Sequence, residues 1–120
     1  MDFLSSKRIW VDSNTYEQLD NLFQIGRGLV SREKIYHAII REWVNNGGQV
    51  KIGKRIFEDS IRKRHCIWIL VEDNLWYQFR YFCSTRELDI NIGFKMAVNN
   101  FYELFDVTID SITLIKLFLY

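Results

Sequence analysis

A short alternating segment, Lys7-Arg8-Ile9-Trp10-Val11, runs straight into two amphipathic helical patterns, and this order constrains the chain more than any other feature. Ile9 and Val11 fall on one face of an extended chain, Arg8 and Trp10 on the other. A strand of about five residues can neither satisfy its own backbone nor bury its inner face, so it needs a second strand. Asp12, Ser13 or Asn14 can accept from the free N–H groups of a helix start, and Tyr16, Leu19, Leu22 and Phe23 follow at helical spacing. Gly26 or Gly28 closes this helix, because glycine enters the left-handed region without penalty. Ser31 reads as the cap of a second helix. Arg32-Glu33-Lys34 form its first turn, Ile35, Ala38, Ile39 and Trp43 its apolar stripe, and Asn45-Asn46-Gly47-Gly48 its end.

The plan recurs. A shift of 60 positions superposes Ile9 on Ile69, Val11 on Val71, Asn14 on Asn74, Leu19 on Phe79, Leu22 on Phe82 and Ser31 on Asn91. A second strand is expected over Cys66–Val71, then a helix opening at Glu72-Asp73-Asn74 with Leu75, Trp76, Phe79 and Phe82. A turn at Thr85–Asp89 precedes the last stripe of Phe94, Ala97, Val98, Phe101 and Phe105. Residues 49–64 form a basic connector with six Lys or Arg in sixteen positions, read as a short strand or hairpin around Gly53 and a helical turn over Glu58–Lys63. Beyond Asp106 an apolar tail is expected to be buried, as a strand or as a helix capped by Asp110 or Ser111. The fold class that follows is mainly α with short β-ribbons: a first unit over 1–48, the connector over 49–64, and a second, degenerate unit with its tail over 65–120. Ile9, Val11, Leu19, Leu22, Ile35, Ile39 and Trp43 are the expected core.

Composition narrows the function classes. With 48% apolar and 26% charged residues among 120, the chain is expected to fold. A domain of this size buries about two-thirds of its unfolded surface, so 16% aromatics points to a core shared between units. Cys66 and Cys83 with His37 and His65 offer neither zinc spacing nor a disulfide framework, so no metal is expected and the thiols are read as reduced, in a cytoplasm. His65-Cys66 reads as a strand start. No apolar run reaches the roughly 18 residues a membrane span requires, and no phosphate-loop, zincin or nucleophile-elbow motif is present. The expectation is a protein without cofactor, small-molecule substrate or enzymatic activity. Net charge is +1, yet residues 1–65 carry twelve basic against eight acidic residues while 66–120 carry four against seven. A polyanion is therefore sought on the N-terminal side.

An antiparallel ribbon built on Lys7–Val11 turns Ser6, Arg8 and Trp10 outward, and such a ribbon fits the major groove of duplex DNA. The first N–H groups of the second helix, near Ser31 and Arg32, suit a phosphate oxygen, so base reading and anchoring separate. Lys7, and the connector's Lys54 and Arg55, are further candidates for phosphates.

The segment KRIWVDSNTYEQLDNLFQIGRGLVSREKIYHAIIREWVNNG, residues 7–47, resembles a ribbon-helix-helix DNA-binding domain. Tandem regulators of this kind, including some from archaeal viruses, are what the whole chain most resembles. The resemblance implies a two-fold, intertwined dimer that regulates transcription in a prokaryotic or virus-infected cell, with Val30, Ser31 and Arg32 at a phosphate clamp. The second unit turns Cys66, Trp68 and Leu70 outward, an apolar face assigned to pairing or to oligomerisation along DNA. The first strand can pair with its counterpart in another chain or with the second strand of its own, and like-with-like pairing between chains is the expected arrangement. The alternative function is a protein-interaction module, antitoxin-like or an assembly protein, with secondary DNA binding.

Overall fold

A computed structural model describes residues 4–28, 30–48 and 65–105. The readings made for the connector, including Lys54 and Arg55, and for the apolar tail lie outside these residues.

The chain runs β1 (Leu4–Val11), α1 (Ser13–Ile25), α2 (Arg32–Asn45), β2 (His65–Glu72), α3 (Asp73–Thr85) and α4 (Ile90–Phe105). β1 is longer than the alternating signal, because Leu4, Ser5 and Ser6 also pair with β2 without extending the apolar period. Asp12 caps α1 by accepting from the Thr15 N–H at 2.8 Å. Ser31 caps α2, its Oγ accepting from the Lys34 N–H at 3.3 Å. α2 closes with Gly47 at φ +80 and the Gly48 N–H on the Trp43 carbonyl at 2.8 Å, a left-handed helix end that glycine adopts freely.

β1 and β2 form a two-stranded antiparallel sheet, with Arg8 facing Trp68, Ser6 facing Leu70 and Trp10 facing Cys66. This corrects the expected like-with-like pairing: the mate of β1 is β2 of the same chain, and the ribbon is complete without a second molecule. The physical reason is the tether, since a covalent link holds β2 at a high effective concentration beside β1. Arg8 and Trp68 stand sixty positions apart, the repeat length, and also face each other. The local two-fold axis of the ribbon thus passes between them.

The inner face carries Ile9, Val11, Ile67, Ile69 and Val71, all buried. They rest on α2 and α4, which pack against each other, so each strand is supported by a helix from the other half of the chain: β1 by α4, and β2 by α2, with α3 of its own half beside it. The expected core residues Leu19, Leu22, Ile35, Ile39 and Trp43 are all buried, joined by Phe79, Phe94 and Phe101. On α3, Tyr77 and Tyr81 are exposed, while their neighbour Trp76 is buried.

Candidate nucleic-acid interface

Alternation along the two strands places Ser6, Arg8 and Trp10 of β1 and Cys66 and Trp68 of β2 on one outward face, with half-buried Leu70 at its edge. Trp68 is 63% exposed and Trp10 41%, large values for indoles. They stay in solvent because the inward positions are already filled by β-branched side chains, and a register slip of one would exchange the faces.

The outward face is therefore mixed. Arg8 supplies its positive charge, Ser6 a hydroxyl, and the β2 residues an indole, a thiol and an aliphatic side chain. Of the two roles expected for the β2 face, pairing or oligomerisation, the strands show the first: β2 mates with β1, so Trp68 and Leu70 share their face with Arg8.

Lys7 lies on the other side of the ribbon. Its Nζ is 3.7 Å from Asp73 Oδ1 and 5.8 Å from the centre of the Trp76 ring, so it ties β1 to α3 instead of reaching for a phosphate. Val30 donates its N–H to the Gly26 carbonyl at 2.9 Å and so cannot offer it to an anion. Ser31, Arg32 and Lys34 remain exposed at the start of α2, beside β2, where Arg32, Glu33 and residues Cys66–Leu70 line one cleft of about 450 Å³. The Arg32 guanidinium sits 4.8 Å from the centre of the Phe23 ring, a cation over an aromatic face. With Arg27, Ser31 and Asp20 it also borders a second cleft of about 510 Å³.

The start of α4 flanks β1 and is built differently. Asp89 accepts from the Asn91 N–H at 2.8 Å, and the Asn91 side chain, matched by the repeat to Ser31, accepts from the Trp10 N–H at 2.8 Å. That hydrogen bond staples α4 to the β1 edge. Over 87–92 the charges are Glu87 and Asp89, both acidic and exposed.

Neither a family model, nor a curated protein, nor a solved structure matches this chain.

Two further constellations escaped the sequence reading. Lys95, within the apolar stripe of α4, is buried and reaches Asp12 Oδ2 at 2.6 Å and Thr15 Oγ1 at 3.4 Å. Burial works to raise the Asp12 pKa, but hydrogen bonds from Lys95 and Thr15 and the Lys95 charge outweigh it, and the carboxyl is held below its ordinary 3.8. The available signal was a lysine among Phe94, Ala97, Val98 and Phe101. The other is Arg86, whose guanidinium lies 4.7 Å from the Phe82 ring centre and donates to the Gly47 carbonyl, joining the ends of α2 and α3. Among the described residues no group of three or more His, Cys, Asp or Glu could hold a metal ion, and no helix is long and apolar enough to cross a membrane.

Proposed function

We propose that the chain binds double-stranded DNA and regulates transcription as a tandem ribbon-helix-helix protein, its β1–β2 ribbon entering the major groove. The carrying observation is the antiparallel ribbon whose inner positions are sealed in the core while Ser6, Arg8, Trp10 and Trp68 face solvent. A two-stranded ribbon has the width the major groove admits, and Arg8 has the donors to pair with guanine O6 and N7. The start of α2, with Ser31, Arg32 and Lys34 exposed, meets the sugar-phosphate backbone at the side of the ribbon. Trp68 and Leu70 supply apolar contacts to thymine methyl groups on the same face.

The test is duplex binding across a salt series. A groove-docked protein loses affinity steeply with added salt. Arg8→Ala lowers the preference for a selected duplex over random duplex about tenfold or more, whereas Ser31→Ala and Arg32→Ala weaken both alike. An unchanged preference without Arg8 overturns the reading.

A protein-interaction module is the second reading, favoured by the exposure of Trp68, Tyr77 and Tyr81. It predicts weak duplex binding at every salt concentration.

A further inference from the structure

We infer that a single chain reads a non-palindromic stretch of duplex in one fixed orientation, with Trp68 opposite Arg8 as the residue that breaks the symmetry. This rests on the duplex-reading proposal and goes beyond it. In a ribbon of two identical strands, the residue on the two-fold axis faces its own copy and every outward position occurs twice. Here the axis passes between a guanidinium and an indole, Arg8 and Trp68. The repeat-equivalent outward positions are Ser6 and Cys66, Arg8 and Trp68, Trp10 and Leu70. The strong hydrogen-bonding side chains thus belong to β1 and the aliphatic and thiol groups to β2. Donors select purine edges and apolar groups select thymine methyls, so the two halves of the contacted sequence cannot be inverted copies.

The flanks carry the same polarity independently of the ribbon. Beside β2, the start of α2 offers exposed Arg32 and Lys34 against Glu33, with Arg27 in the preceding turn and Asp20 of α1 bordering the same cleft, three bases against two acids. Beside β1, the corresponding stretch has Glu87 and Asp89 and no exposed base, and its Asn91 side chain is committed to the Trp10 N–H. Lys95, the nearest base along α4, is buried on Asp12. One strand of the duplex is therefore gripped by its phosphates and the other is left to the ribbon, because an anion is attracted to the first flank and repelled at the second.

The experiment selects binding sites for the full-length protein from a duplex pool with a randomised centre, then maps phosphate contacts on the recovered duplex by ethylation interference. The number of chains per site is counted by native mass spectrometry. The expected result, per bound chain, is a non-palindromic site with interference confined to one flank. Trp68→Arg, an exchange at an exposed position, makes the axis symmetric, and its recovered sites gain an inverted match at the centre. A palindrome held by one chain, with equal interference on both flanks, overturns the directional reading and leaves duplex reading standing. So does a Trp68→Arg variant that recovers the wild-type site unchanged. Absence of any enriched duplex overturns the duplex-reading proposal itself, and this inference with it.

Discussion

At the scale of single residues, the buried pair of Asp12 and Lys95 links the cap of the first helix to the middle of the last. Asp12 is wholly buried and Lys95 nearly so. Removing one member of such a pair leaves an uncompensated charge and costs about 3–5 kcal/mol. Lys95→Met is expected to destabilise by about that much in urea unfolding, whereas replacing both members costs far less than the two single changes together. The pH dependence follows from the direction of the Asp12 shift. A carboxyl held below 3.8 in the folded chain contributes its full stabilisation above that pH, and loses it as acidification protonates the folded state. Wild-type unfolding free energy should thus fall below pH 3.8, and Lys95→Met should flatten that part of the profile. Gly93 sets another limit, since a Cβ there would clash with Cys83 Sγ. Gly93→Ala is expected to lower stability by about 1–3 kcal/mol through overpacking, with partial recovery when Cys83 is also made alanine. Burial pushes the Cys83 thiol up to about 12, with Asp89 adding to the shift. A thiol reagent on the folded protein should label exposed Cys66 and spare Cys83, and bound duplex should protect Cys66.

At the scale of elements, α2 and α3 end with the same hydrogen-bond pattern but different residues. Gly47 takes the left-handed position after α2, and Glu87 takes it after α3 at φ +55, with the Leu88 N–H on the Cys83 carbonyl at 2.8 Å. A side chain in that region costs about 1 kcal/mol, so Glu87→Gly should raise the thermal midpoint. Much of this layer was legible in the sequence: Ile9 and Val11 alternate because they seal one face, Ser31 precedes a helical stripe because it caps it, and Asn46-Gly47 ends that helix as expected. What escaped was whatever depends on distant contacts. The extension of β1 back to Leu4 has no apolar period to announce it. The use of Asn91 on the Trp10 backbone, in place of a capping role, is set by a strand residue 81 positions away. Among the candidate interface residues, the outward positions of Ser6, Arg8 and Trp10 follow from alternation alone. Lys7 and Val30 were drawn off by Asp73 and by the Gly26 carbonyl, partners invisible to local spacing.

At the scale of the whole molecule, the choice between pairing within and between chains was open to sequence reading, because identical periodicities serve both. The tether decides it: with β1 and β2 in one chain, the shared core of α2 and α4 closes without a second molecule. Unfolding should then be independent of protein concentration. The thermal midpoint is expected to stay constant across a hundredfold dilution series, about that range being ample to expose a dimer's mass-action shift. A midpoint that climbs with concentration would place part of the core between chains.

The facing of Arg8 by Trp68 also has a genetic side. In an assembly of identical subunits, one codon change alters the central contact twice, and any new target must accept both alterations at once. Here the two central residues are separate codons, so one nucleotide substitution retunes one side of the contact and leaves the other as it was. Under the proposed duplex reading, target preference drifts in half-steps, each worth about 1–3 kcal/mol of discrimination, along a path that a homodimer cannot take.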